Sequence, residues 1–134
     1  MLILEPLTDT MSAKKILVCD DHTIIVEGLA LLFKNHTRYK LIGQTQDGKD
    51  LLAKLKELKP DILVLDLNLK DSDGFTLLEE IRKKDKDLKI IILTMYQDEF
   101  LIQRAQKEGA NAYLQKSVTN KELTEALEQI YHIP

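Results

Sequence analysis

Residues 62–68 read Ile-Leu-Val-Leu-Asp-Leu-Asn, four consecutive aliphatic residues followed directly by the carboxylate of Asp66. An aliphatic run of this length predicts a short strand that is buried on both faces. A charge at the end of a buried strand needs water, a backbone N–H or a cation to receive it. Asp66 is therefore either a strand-ending acid that faces solvent or the working acid of a site, and the rest of the chain has to distinguish the two.

Short apolar runs recur along the chain, and amphipathic stretches with helical spacing separate them. The predicted strands are residues 16–19, 39–45, 62–65, 90–93 and 112–114. The predicted helices are residues 23–35, 51–58, 74–81, 98–108 and a last helix that begins with a capping box of Thr119 and Glu122. Asp47-Gly48 is expected to be a turn, residues 67–73 are expected to form a polar loop, and Phe100 is expected on the apolar face of the fourth helix. Strands that are apolar on both faces and alternate with amphipathic helices predict one α/β domain, a doubly wound parallel sheet.

The composition fits a single globular domain. The chain has 134 residues, of which 44% are hydrophobic and 31% are charged, and its net charge is −3. The acidic balance argues against direct nucleic-acid binding by this segment, and no apolar run is long enough to cross a membrane. We expect residues 1–13 to be a tail or leader and residues 14–132 to form the domain. The single Cys19 is expected to be a small buried hydrophobe.

Acidic residues follow two of the predicted strands. Asp20 and Asp21 come after the first, and Asp66 comes after the third. If the strand order is 2-1-3-4-5, those two strands are neighbours, and the three carboxylates converge at one edge of the sheet. Carboxylates at such short distances repel one another unless a cation lies between them. Mg²⁺, a hard ion that prefers oxygen ligands, suits such a site.

Two more polar side chains follow strands at this edge. Thr94 ends the fourth strand with a hydroxyl, and Lys116 follows the fifth with an ammonium. An acidic metal site with a hydroxyl and a cation suits phosphoryl transfer, with Asp66 as the nucleophile. Each residue alone has a simpler reading, as a helix cap or a solvated surface group. Their joint placement at the ends of four strands favours the functional reading.

The sequence resembles the receiver domain of two-component response regulators over residues 14–131. The resemblance rests on an acidic pair after strand one, Asp after strand three, Asp-Gly, Thr after strand four and Tyr-x-x-Lys at strand five. These are Asp20-Asp21, Asp66, Asp73-Gly74, Thr94 and Tyr113-Leu114-Gln115-Lys116. The stretch from Cys19 to Leu29 is most similar to the subfamily with a C-terminal LuxR-type helix-turn-helix domain. The resemblance implies the flavodoxin-like receiver fold, with five strands in the order 2-1-3-4-5 and five helices.

The resemblance also implies a phosphoacceptor and a metal site. Asp66 would take a phosphoryl group from a phosphohistidine on a sensor histidine kinase. Mg²⁺, or Mn²⁺ in its place, would be held by Asp21, Asp66 and the backbone carbonyl of Asn68, with Asp20 acting through a coordinated water. The catalytic activity implied is self-phosphorylation and slow self-dephosphorylation only, so the protein would be a signalling switch rather than an enzyme.

The remaining family positions describe the switch. Lys116 would pair with the phosphoryl oxygens, and Thr94 would hydrogen-bond one of them. Tyr113 would be the second switch residue, which turns inward when Thr94 moves. The face formed by helix 4, strand 5 and helix 5 would then change shape.

The implied partners follow from this switch. A homodimer would form through that face or through the surface of helices 1 and 5. The implied output is transcription, through a DNA-binding domain outside this chain, in the cytoplasm and without a membrane partner.

Two positions depart from the family pattern. Lys70 stands where the family generally has proline, so the loop after Asp66 is expected to be more mobile. Met95 follows Thr94 where a small residue is more common. We expect its longer side chain to narrow access to the phosphoryl group.

Two other functions fit the residues less well. A Mg²⁺-dependent phosphatase with an aspartyl nucleophile wants a second acid two residues later, where this chain has Asn68. A flavin-binding module wants a hydroxyl- and glycine-rich loop after strand one, where Asp20 and Asp21 would repel the flavin phosphate. His22, beside the acidic pair, is expected to open the first helix at the surface rather than act in catalysis.

Overall fold

A computed structural model of the chain describes residues 13–132, so most of the predicted tail lies outside the described residues. The division of the chain at residue 13 therefore stays a prediction. The strands are β1 (Lys14–Cys19), β2 (Tyr39–Thr45), β3 (Ile62–Leu65), β4 (Lys89–Thr94) and β5 (Ala112–Gln115). The helices are α1 (Thr23–Phe33), α2 (Gly48–Leu58), α3 (Gly74–Lys84), α4 (Glu99–Lys107) and α5 (Asn120–His132).

The five strands form one sheet in the order β2-β1-β3-β4-β5, and every neighbouring pair is parallel. The predicted order is confirmed. Because β3 lies between β1 and β4, the residues that follow these strands meet at one edge of the sheet. None of the helices within residues 13–132 is long and apolar enough to span a membrane.

The core lies on both faces of the sheet because successive strand residues point to opposite sides. Along β3, Leu63 and Leu65 pack toward α2, α3 and α4, while Ile62 and Val64 pack toward α1 and α5. All four side chains are at most 2% exposed. This two-sided burial explains why β3 is an unbroken aliphatic run. The same packing fixes the position of the carboxyl end of β3.

Helix caps account for several element boundaries. The Asp47 carboxylate accepts a hydrogen bond from the Asp50 N–H at 2.8 Å, so α2 begins at Gly48. Asp47-Gly48 was expected to be a turn before the helix; Asp47 does precede the helix as its N-cap, but Gly48 is already the first residue of α2. The predicted capping box of α5 is confirmed: Glu122 N–H donates to Thr119 Oγ1 at 3.1 Å, and Thr119 N–H donates to Glu122 Oε1 at 3.2 Å.

Two side-chain predictions failed. The loop after β3 was expected to be polar, yet Leu67 and Leu69 are buried in the core on the α2–α4 side. Phe100 was expected on the core face of α4, yet it is 73% exposed, and Ala105 is the buried residue of this helix. α4 therefore packs on the core through Ala105 and the partly buried Leu101, and it leaves its aromatic residue in solvent.

Candidate functional site

Three charged residues lie immediately beyond the ends of β1, β3 and β5. The Asp20 N–H donates to the last carbonyl of β2, and the Asp66 N–H donates to the last carbonyl of β1, both at 3.0 Å. The Lys116 N–H donates to the last carbonyl of β4 at 2.6 Å. Each residue therefore continues the hydrogen-bonding ladder of the sheet by one step, which fixes its backbone relative to the others.

The Lys116 ammonium joins the two carboxylates. Its Nζ lies 3.0 Å from Asp66 Oδ2 and 3.0 Å from the Asp20 carboxylate. The side chains of Lys116, Asp20 and Asp66 are only 2%, 1% and 1% exposed. Buried charges need close partners because the desolvation cost of each is several kcal/mol. One ammonium between two carboxylates leaves the group with a net negative charge.

Burial raises the pKa of Asp66 above its ordinary value. The Asn68 N–H, which donates to Asp66 Oδ1 at 3.0 Å, and the Lys116 ammonium both favour the ionised form and reduce the rise. The charge of Asp20 adds to the rise. The cation already present thus does not fully offset burial and like-charge repulsion, and a further cation would favour the ionised carboxylate.

The residues present fit a divalent ion. Asp20 Oδ2 is buried and accepts no aligned hydrogen bond, although Lys116 Nζ lies within ion-pair distance of it. One potential ligand atom each from Asp20, Asp21, His22 and Asp66 lie within 4.8 Å of one another. Carboxylate oxygens are the ligands that Mg²⁺ and Ca²⁺ prefer. The structure therefore brings the predicted acidic residues together in a form that could hold such an ion.

His22 is a component of this cluster that the sequence reasoning missed. It does open α1, as its N-cap residue, and its side chain is 49% exposed. However, its Nδ1 lies 3.0 Å from Asp20 Oδ1, 3.3 Å from Asp21 Oδ1 and 3.7 Å from Asp66 Oδ2. The same atom is 2.6 Å from Lys116 Nζ. The signal available in the sequence was its place directly after the acidic pair.

Thr94 and Tyr113 both contact Tyr96 in the loop that follows β4. The buried Thr94 hydroxyl accepts a hydrogen bond from the Tyr96 N–H at 3.4 Å. The Tyr113 hydroxyl donates to the Tyr96 carbonyl at 3.0 Å. The main-chain carbonyl of Thr94 also accepts from the Lys116 N–H, so Thr94 touches the charged cluster through its backbone. Tyr113 reaches the same loop from β5.

The loop between β3 and α3 is closed at its base by contacts between its two ends. Asp73 Oδ1 accepts from the Phe75 N–H at 3.2 Å, and the Gly74 N–H donates to the Leu67 carbonyl at 3.1 Å. A Cβ on Gly74 would lie 2.5 Å from Leu67 Cα, closer than real Cβ contacts allow. The Asp-Gly pair of the sequence motif is therefore what lets α3 start against the backbone beside Asp66.

The sequence and the structure were compared with known proteins. The family model described as the response regulator receiver domain matches residues 16–128. Response regulator protein VraR of Staphylococcus saprophyticus is 30% identical over 118 residues, which are 88% of this chain and 56% of that protein. Transcriptional regulatory protein YdfI of Bacillus subtilis is 36% identical over 109 residues, which are 81% of this chain and 51% of that protein.

A solved structure is also similar. The LuxR-family two-component response regulator from an Aurantimonas species has a TM-score of 0.81 and 33% identity, and the match covers 89% of this chain and 85% of that one. These matches agree with the resemblance to receiver domains and with the similarity to the LuxR-type subfamily. The chain spans about half the length of the curated relatives that it matches.

Proposed function

This chain belongs to the response regulator receiver domain family of two-component signalling, and on that premise we propose that Asp66 is its phosphoacceptor. The observation that carries the proposal is the buried contact between Lys116 Nζ and Asp66 Oδ2 at 3.0 Å. This contact places the Lys116 ammonium within reach of a group that becomes bonded to the Asp66 carboxylate. Such preorganised charge is the main contribution of a protein to phosphoryl transfer.

The proposed donor is a phosphohistidine on a sensor histidine kinase. An oxygen of the ionised Asp66 attacks phosphorus, the P–N bond breaks, and the leaving imidazole takes up a proton. Lys116 favours the ionised form of Asp66 before transfer. After transfer its ammonium pairs with the phosphoryl oxygens, so that one cation serves the reactant and the product.

The proposed metal ligands are the carboxylates of Asp21 and Asp66 and the backbone carbonyl of Asn68, with Asp20 acting through water. Support comes from Asp20 Oδ2, which is buried and accepts no aligned hydrogen bond, and from the clustering of the acidic ligand atoms. When bound, Mg²⁺ or Mn²⁺ neutralises charge that develops on the transferring phosphoryl group. The protein residues orient Asp66 and limit the access of water.

The proposed switch runs through the residue 96 backbone. A phosphoryl group on Asp66 attracts the Thr94 hydroxyl, which gives up the Tyr96 N–H. Because the Tyr113 hydroxyl holds the Tyr96 carbonyl, a shift of this backbone releases the Tyr113 ring as well. New hydrogen bonds at one end thereby bias a two-state element at the other.

The proposed output surface is the α4–β5–α5 face. Near it the loop and α4 expose Met95, Tyr96 and Phe100 at 60%, 60% and 73%. A second surface, on α1, exposes Ile24 at 78% and Leu31 at 74%, and it supports dimerisation through α1 and α5 as the alternative.

In the full protein we propose that the switch controls transcription through a DNA-binding domain outside this chain. We also propose that the receiver is cytoplasmic and catalyses only its own phosphorylation and dephosphorylation.

The test is phosphorylation by acetyl phosphate in the presence of Mg²⁺, read as the mass increase of one phosphoryl group on the intact protein. We expect the wild type to be modified and Asp66→Asn to stay unmodified. Asp71→Asn is the matched control because Asp71 lies on the same loop and its carboxylate contacts the Gly48 N–H instead. Equal phosphorylation of wild type and Asp66→Asn would reject the assignment.

A further inference from the structure

We propose that His22 is a direct ligand of the divalent ion at the acidic site, through Nδ1. Compared with a site that has only oxygen ligands, a site with this imidazole ligand has a higher affinity for ions that bind nitrogen well, such as Mn²⁺, Co²⁺ and Ni²⁺. The inference rests on the proposed function because it takes Asp21 and Asp66 as ligands of the same ion. It adds a residue that the resemblance does not supply, and it concerns which ion the receiver uses.

The position of Nδ1 carries the proposal. Nδ1 lies 3.0, 3.3 and 3.7 Å from carboxylate oxygens of Asp20, Asp21 and Asp66. Six ligands at about 2.1 Å from one ion stand roughly 3 Å from their nearest neighbours. The nitrogen is therefore spaced from the Asp21 oxygen, a proposed direct ligand, as one ligand is from the next.

The imidazole is not used to cap α1. His22 is the N-cap residue, but its side chain makes no capping hydrogen bond. Its backbone N–H donates to Asp20 Oδ1 at 2.8 Å, which holds the residue beside the cluster. The ring is thus placed at the acidic site by its backbone, where Nδ1 contacts Asp20 Oδ1 and Lys116 Nζ rather than the start of the helix.

The Lys116 ammonium lies beside Nδ1 in this structure. Its Nζ is 2.6 Å from His22 Nδ1 and 3.0 Å from Asp66 Oδ2. Because Nδ1 can offer only one lone pair, a divalent ion that binds it takes the place of this ammonium contact.

The chemistry predicts a pattern across ions. Mg²⁺ prefers oxygen ligands, whereas affinity for nitrogen donors rises from Mn²⁺ through Co²⁺ to Ni²⁺. Removal of the imidazole therefore weakens the binding of the later ions most. A purely structural role for His22 would weaken the binding of all ions alike.

The experiment uses the full chain without a histidine tag. Calorimetry measures the affinities for Mg²⁺, Mn²⁺, Co²⁺ and Ni²⁺, and pulsed electron paramagnetic resonance detects nitrogen coupled to bound Mn²⁺. The variants are His22→Ala and His22→Asn, the second because asparagine is a good N-cap and preserves the start of the helix. His36→Ala is the matched control, since His36 Nδ1 already accepts from the Arg38 N–H at 3.1 Å.

We expect nitrogen coupling in wild type and His36→Ala and its loss in both His22 variants. We expect those variants to bind Ni²⁺ about 10–100-fold more weakly and Mg²⁺ within about twofold of wild type. Nitrogen coupling that is absent from the wild type or retained without His22 would overturn the proposal, as would an equal loss for all ions. If Asp21→Asn and Asp66→Asn leave ion binding unchanged, the proposed metal site itself fails. Loss of binding in those two variants without nitrogen coupling in the wild type refutes only the role of His22.

Discussion

Lys116 Nζ lies 3.0 Å from Asp66 Oδ2, a contact between side chains 50 positions apart in the sequence. Asp20 shares the same ammonium, and all three side chains are almost fully buried. One cation between two buried carboxylates is an arrangement that the fold does not need for stability, because buried ion pairs are costly to desolvate. Such groups are typical of functional sites.

The first prediction concerns the stability cost of Asp66. Its pKa is raised, chiefly by burial, so the folded state holds its proton to higher pH than the unfolded state does. A raised carboxyl pKa means that stability falls as pH rises from the unfolded value of about 3.9 through the folded value. We expect Asp66→Asn to raise the free energy of unfolding by about 1 kcal/mol at neutral pH and to lose this gain below about pH 4. Urea unfolding across pH measures both.

Asp71→Asn is again the control for this measurement, because Asp71 lies on the same loop and is exposed to solvent. We expect its effect to differ little between acidic and neutral pH. A gain for Asp66→Asn that is the same at both pH values would contradict the explanation from burial and charge.

The second prediction concerns Mg²⁺. An ion that binds only the folded state stabilises it by about 2.7 kcal/mol at 100 times its dissociation constant. We expect Mg²⁺ to raise the unfolding temperature of the wild type and to have almost no effect on Asp21→Asn, which loses a ligand at the partly exposed mouth of the cluster. Differential scanning fluorimetry with Mg²⁺ and with matched K⁺ measures the shift. An undiminished Mg²⁺ effect in Asp21→Asn would exclude Asp21 as a ligand.

The fold could be predicted from the sequence because its sheet is buried on both faces. An aliphatic strand such as β3 then leaves a continuous signal, and parallel strand ends meet at one edge whatever the loops do. Asp20, Asp66 and Lys116 were found from their place after strands, and no side-chain detail was needed. The predictions that were wrong depended on the orientation of individual side chains.

The failures have distinct physical causes. Asp47 suits a turn and an N-cap equally, so the start of α2 could not be decided locally. The exposure of Phe100 depends on how closely α4 approaches the sheet. The spacing of apolar residues in the sequence does not predict that distance. The inward direction of His22 Nδ1 is a rotamer choice set by a neighbouring ammonium and three carboxylates, and these meet only in the folded chain.

The third prediction concerns Cys19. Burial is the main cause that raises the pKa of its thiol from 9.0 to about 12. The unfolded thiol ionises near its ordinary value while the folded one does not, so stability falls as pH rises from about 9 toward 12. We expect Cys19→Ala to reduce this slope by up to about 1.4 kcal/mol per pH unit. Urea unfolding of both proteins between about pH 8 and pH 10 measures the slopes, and equal slopes would contradict the prediction.

The fourth prediction concerns Gly74. A Cβ there would lie 2.5 Å from Leu67 Cα and 2.7 Å from the Leu67 carbonyl oxygen, and backbone atoms cannot move aside cheaply. We expect Gly74→Ala to lower the free energy of unfolding by about 2–4 kcal/mol and to slow phosphorylation of the neighbouring Asp66. Gly28→Ala is the matched control, since nothing lies within 4 Å of its Cβ and alanine favours a helix by about 0.5–1 kcal/mol. A tolerated Gly74→Ala would show that the tight approach of α3 is not required.

The fifth prediction concerns Met95, which directly follows the buried Thr94 and is 60% exposed. We expect its long side chain to restrict access to a phosphoryl group on Asp66. We expect Met95→Ala to speed phosphorylation by acetyl phosphate and hydrolysis of the phosphoprotein severalfold, while stability changes by less than about 0.5 kcal/mol. Tyr96→Ala is the control because Tyr96 is equally exposed, at 60%, and contacts Thr94 and Tyr113 through its backbone. If both rates are unchanged in Met95→Ala, or rise equally in Tyr96→Ala, the side chain of Met95 does not govern access.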